Sequence, residues 1–132
     1  MIVTDTQILA YYTIKGPHTE LAQRVRVVDG GWIMPPLWRS EFRSILAGYL
    51  RRGEMTASDA IAAFHDAELL LLADRVPSPD LVIQLIASSK CTAYDLEFVA
   101  VAQSLGVKLV TNDKEVLAAF PKIAVSPAQF AS

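Results

Sequence analysis

Four carboxylates stand where a soluble chain would not ordinarily place unpaired acids. Asp5 directly follows the β-branched run Ile2-Val3-Thr4, and Asp113 closes Lys108-Leu109-Val110-Thr111-Asn112. Short β-branched runs between breakers read as buried strands, and in an open parallel sheet ligands bind outside the carboxyl ends of the strands. Both acids are therefore expected on the edge where sites form. At about 100° per residue, a helix over 37–51 gathers Leu37, Trp38, Phe42, Ile45, Leu46 and Tyr49 into one apolar arc, and Glu41 falls inside it. The same projection over 94–105 turns Asp95 inward, between Val99 and Ala102, and Glu97 outward beside Ser104.

A buried unpaired carboxylate is costly, and four that converged would repel one another unless a divalent cation neutralised them. Oxygen-only ligation without histidine suits Mg²⁺ or Mn²⁺. Each acid also has a structural alternative. Asp5 and Asp113 have the form of helix N-caps, Thr92-Ala93-Tyr94-Asp95 resembles a capping box with Asp in the usual Glu/Gln place, and Glu41 has Arg43 near it as an ion-pair partner. Capping accounts for three of the acids and leaves Glu41 unexplained.

The elements that must position these groups alternate. Helical patterns cover 6–13, 19–28, 37–51, 57–67, 79–89, 94–105 and a short turn at 114–119, and the strands are 2–4, 32–34, 108–111 and a late edge strand at 123–125. Leu69 to Ala73 either continues the helix before it or forms a further strand. This alternation predicts an α/β layer fold with a parallel sheet, since parallel strands need crossover connections. The 132 residues predict one domain, 52% apolar and able to build a core without staples. Lone Cys91 forms no internal disulfide and reads as a buried filler, which fits a reducing cytoplasm. No apolar run approaches the length of a membrane span, and the N-terminus lacks the basic region of a signal peptide.

Other chemistries lack their parts. His18 and His65 have no metal-ligating partners at helical spacing, and the chain contains no nucleophile elbow, phosphate-binding loop or dinucleotide turn. A receiver-like phosphotransfer domain would want a second acid near Asp5 and a lysine at a later strand end, and neither is evident. Phosphate contacts would come from Arg39, Arg43, Lys114, Arg51, Arg52 or Lys15, and base stacking from Tyr11, Tyr12, Trp38 or Tyr94.

The ordered set I-V-T-D-T at 2–6, W-R-S-E-F at 38–42, T-A-Y-D-L-E-F-V-A-V-A at 92–102 and L-V-T-N-D at 109–113 resembles the acidic motifs of PIN-domain nucleases, in particular the VapC-type toxins. The resemblance spans almost the whole chain. It implies a PIN-like three-layer sandwich, with a small parallel sheet of four to five short strands flanked by helices. Asp5, Glu41, Asp95 and Asp113 then match the acidic quartet that binds metal and carries catalysis, Thr111 matches the hydroxyl that commonly supports the last acid, and Thr6 is a further supporting hydroxyl. The family often has Ser or Asn two positions after the first Asp, where this chain has Gln7. The implied function is Mg²⁺-dependent cleavage of RNA by the toxin of a toxin–antitoxin pair, with a cognate antitoxin and a second copy of the chain as partners. A catalytically weak PIN-like binding module is the alternative.

Overall fold

The computed structural model describes residues 1–132. The chain begins with β1 (Ile2–Thr4), α1 (Thr6–Thr13), α2 (Thr19–Val28) and β2 (Trp32–Met34). It continues through α3 (Trp38–Arg51), α4 (Ala57–Leu70), β3 (Ala73–Asp74), α5 (Pro79–Ser88) and α6 (Ala93–Leu105). β4 (Leu109–Val110), α7 (Lys114–Ala119), β5 (Ala124–Val125) and α8 (Pro127–Phe130) complete it.

The strands form one all-parallel sheet in the order β3-β2-β1-β4-β5. This is the predicted α/β architecture, with five strands and eight helices. Register is set by Ile2 opposite Trp32, Val3 opposite Leu109 and Thr4 opposite Val110. Every residue of β1 and β2 is buried. Alternate side chains point to opposite faces, so both faces of the central strands are covered, as all-parallel sheets require. The helices that cover them pack as two groups, α1 with α2, α3 and α4, and α6 with α5, β1 and β4.

Two sequence expectations are refined here. The apolar run from Leu69 divides: its first two residues finish α4, and Ala73 begins β3. The C-terminal helix α8 was not anticipated, although Ser126 caps it and Pro127 starts it, a common N-terminal pairing.

The topology fixes where a site can form. From β1 the chain steps outward to β2 and β3, then returns across the sheet to β4 and β5, so the strand order reverses between β1 and β4. Helices leaving neighbouring strands diverge at such a point and open a crevice at the carboxyl edge. Asp5 and Thr111 are the first residues beyond β1 and β4.

Candidate active site

Asp5 is held from two sides. Its Oδ1 accepts the Ile8 amide at 3.0 Å, capping α1, and its Oδ2 accepts the Thr111 hydroxyl at 2.5 Å. Thr111 is buried, and its Oγ1 in turn accepts the Asp113 amide at 3.0 Å. Asp113 Oδ1 then caps α7 through the Val116 amide at 3.0 Å. The capping roles considered from the sequence are thus real for both acids, and each acid lines the cleft as well.

Glu41 lies in the first turn of α3, where Thr6 donates its hydroxyl to Oε1 at 2.6 Å. Thr6 is buried at the start of α1, so Glu41 is anchored across two helices. The ion pair with Arg43 considered from the sequence does not form: Arg43 instead lies over the Phe64 ring, 5.5 Å from its centroid. Asp95 sits in the first turn of α6, where its amide donates to the Thr92 hydroxyl at 3.1 Å. In α4, Thr56 and Asp59 make both bonds of a capping box. Thr92 and Asp95 make only the first, which leaves the Asp95 carboxylate to the cleft.

All four acids line one cleft of about 370 Å³, together with Thr6, Gln7, Ser44 and Thr111 and an apolar floor that includes Ile45 and Phe98. No lysine, arginine or histidine lines it. The electrostatics follow from that composition. Burial raises the Asp5 pKa most, the bonds from Thr111 and Ile8 pull it back, and the charges of Asp113 and Asp95 push it up again. Glu41 is raised by burial, lowered by its Thr6 bond and raised by Asp95, Asp5 and Glu97. Asp95 is raised by burial, eased by Thr92, and raised further by Asp113 and Glu115.

The outward placement expected for Glu97 is corrected: it is half-buried, its charge reaches Glu41, and burial raises its own pKa. Gln7, singled out in the sequence as standing where the family often has Ser or Asn, lines the cleft, and so does Ser44, which the sequence did not single out. Ser44 lies one turn along α3 from Glu41 on the same face, a spacing that carried the signal.

The basic candidates lie elsewhere. Arg39 is bound to Asp74 at the end of β3, approaches Glu68 at 3.9 Å and stacks over Trp38. Arg43 and Lys114 are exposed, and neither lines the cleft. Trp38 is fully buried against Phe42 and Phe64, and Tyr12 packs on Trp32, so both are packing residues rather than stacking platforms. Tyr94 is exposed, one residue before Asp95.

The family model described as PIN domain matches residues 2–124. The chain belongs to the PIN-domain family. The crystal structure of PAE2754 from Pyrobaculum aerophilum superposes with a TM-score of 0.76 at 20% identity, covering 98% of this chain and 92% of that one, a likeness of fold. No curated protein matches the chain. PIN domains are generally nucleases and typically use divalent metal ions. No helix of this PIN domain is long and apolar enough to cross a membrane.

The donor set fits such an ion in kind, being entirely hard carboxylate oxygen from Asp5, Glu41, Asp95 and Asp113. No three acidic, imidazole or thiol side chains close around a single point as a ready-made ligand cage. Mg²⁺ dehydrates reluctantly and is commonly held by one or two carboxylates plus water. A cleft that presents one or two carboxylates with room for water meets that requirement.

Proposed function

We propose that this PIN domain is a Mg²⁺-dependent endoribonuclease, with Mn²⁺ as an alternative ion, acting as the VapC-type toxin of a toxin–antitoxin pair. The observation that carries the reading is the meeting of four carboxylates, from four remote segments, in one cleft without a balancing cationic side chain. Asp5 and Asp95 are the first choice for direct ligands, and Glu41 and Asp113 complete the site directly or through water. Bound there, the ion would acidify a water and offset charge on the phosphodiester.

The chain's own groups supply the rest. Glu41 Oε1 is fixed by Thr6, which orients its carboxylate toward the cleft. Its raised pKa makes it a better proton acceptor than an ordinary glutamate. As water oxygen bonds to phosphorus, Glu41 accepts the water proton. The bond to the 3′-oxygen breaks, and that oxygen takes a proton from solvent. The products are a 5′-phosphate and a 3′-hydroxyl, with the ribose 2′-hydroxyl playing no part as nucleophile. Thr111 holds Asp5 in place throughout.

Asp5→Asn and Asp95→Asn each test the assignment. Both are expected to abolish EDTA-sensitive RNA cleavage while the far-UV and thermal signatures of the fold persist. Full activity in a well-folded double variant would refute it. A cognate antitoxin carrying a basic side chain among the four acids would compete with the ion and shield the cleft, and a homodimer acting in the cytoplasm completes the reading. Sequencing RNA 5′ ends after induced expression, with and without the neighbouring open reading frame, identifies the substrate and tests the antitoxin together.

The open spacing of the acids favours one rival, a PIN-like module that binds RNA or protein with little catalysis. Absence of Mg²⁺ and Mn²⁺ binding, with no cleavage of total RNA, would select it.

A further inference from the structure

The cleft is rich in acceptors and poor in donors. Its side chains include four carboxylates, and its two threonine hydroxyls are already committed, Thr6 to Glu41 and Thr111 to Asp5. Gln7 and Ser44 are the remaining polar side chains of the wall. Both are exposed, and neither side chain makes a hydrogen bond to the protein. Gln7 stands on the second residue of α1, two positions from Asp5, and Ser44 stands on α3, three positions from Glu41. They are thus carried by the same two helices that position two of the acids.

We propose that Gln7, assisted by Ser44, is the neutral contact for the substrate's phosphate oxygens and so a pair that positions the substrate strand in this cleft. The non-bridging oxygens of a phosphodiester only accept hydrogen bonds. Among groups that only accept, they need donors that bring no further negative charge, and the Gln7 amide NH₂ and the Ser44 hydroxyl are the side-chain donors left free. A ribose hydroxyl needs neither, because it can donate to any of the carboxylates. The inference rests on the nuclease reading above and adds the residues that receive the substrate strand.

The test uses the full chain with Mg²⁺ and a short fluorescent RNA. Gln7→Ala is expected to raise KM about tenfold, the worth of a hydrogen bond to a charged acceptor at the low end of its range, with a smaller change in kcat. Gln7→Glu is expected to do worse, since it adds a charge facing phosphate, and Gln7→Asn to recover part of the loss. Affinity is then measured by anisotropy in the non-cleaving Asp95→Asn background, with a single neutral methylphosphonate moved along the strand. At one linkage the Gln7→Ala effect is expected to vanish, because the partner oxygen's charge has gone. Cleavage by the parent chain with KM unchanged in Gln7→Ala and Ser44→Ala overturns the inference and leaves the nuclease reading standing. A Gln7→Ala loss of equal size at every linkage also overturns it. No cleavage by the parent chain overturns the nuclease reading, and the inference with it.

Discussion

Thr111→Val removes one hydroxyl and keeps the shape of the side chain, so it isolates two hydrogen bonds. The bond to Asp5 Oδ2 reaches an ionisable acceptor at 2.5 Å, and the bond from the Asp113 amide is neutral at 3.0 Å. A bond to a charged group contributes about 1.5–3 kcal/mol and a neutral one about 0.5–1.5 kcal/mol. Asp113 is exposed and its amide can turn to water, so the lower part of the combined range applies, about 2–3 kcal/mol. For a chain of 132 residues each kcal/mol moves the midpoint by about 4 °C, so Tm at neutral pH should fall by about 8–12 °C.

The loss carries a pH signature. The hydroxyl stabilises the ionised form of Asp5, whose pKa is already raised by burial. Below that raised value Asp5 is protonated in the fold, the bond becomes neutral, and the substitution costs less. The Tm difference should therefore shrink as the pH falls through that value. In the cleavage assay, loss of the bond lifts the Asp5 pKa further, so the acid limb of the rate profile should move to higher pH. Thr111→Ser, which keeps the hydroxyl, should leave that limb near its original position. Equal Tm losses across the whole pH range of the fold, with an unmoved acid limb, would refute the argument that this hydroxyl holds Asp5 ionised.

The metal-free fold should lose stability as pH rises above about 4, because Asp5, Asp95 and Glu41 have folded pKa values above their references of 3.8, 3.8 and 4.5. In that window the folded state binds more protons than the unfolded one, so the slope of stability with pH is negative. Asp29 and Asp59 have lowered values and act with the opposite sign, so the cleft is isolated by the difference between melts in Mg²⁺ and in EDTA. That difference should be larger at pH 7 than at pH 5, and a pH-independent difference would argue against carboxylate ligation. Arg39→Ala should lower stability by about 1 kcal/mol, the scale of an exposed ion pair plus a cation–π contact, and leave KM for RNA within about twofold. A large KM increase would return Arg39 to the phosphate contacts.

The acids were legible for two separate reasons. Asp5 and Asp113 could be placed because short β-branched runs end just before them, and a strand end is a fixed place in a parallel sheet. Glu41 and Asp95 could be placed because helical periodicity shows when an acid falls on an apolar face. Which hydroxyl bonds which acid was less open to such reading, since Thr6 and Glu41 lie 35 residues apart and Thr111 and Asp5 106 apart. Arg39 illustrates the same limit. Its distance from Glu41 in sequence is short, but the acid that holds it, Asp74, is brought there only by the pairing of β3 with β2. Glu97 was misplaced because a two-way division of a helix into inner and outer faces has no room for a flank. Its neighbour across that flank belongs to another helix.

The hydrogen bonds also divide the four acids unequally. Thr111 joins Asp5 to Asp113, and Thr6, next in sequence to Asp5, holds Glu41. Three acids are therefore tied into one chain of contacts running from α3 through the ends of β1 and β4. Asp95 has no side-chain bond to any of them and enters the cleft only because α6 carries it there. α6 is held by a Thr92 cap at one end, a left-handed Gly106 at the other, and buried Leu96, Phe98, Val99, Val101 and Ala102 between. Its packing on β1 and β4 must hold Asp95 against the charges of Asp113 and Glu115 whenever no cation is present. An ion bound in the cleft would relieve that repulsion, so the α6 amides should exchange more slowly with deuterium in Mg²⁺ than in EDTA, and unchanged exchange would refute the argument.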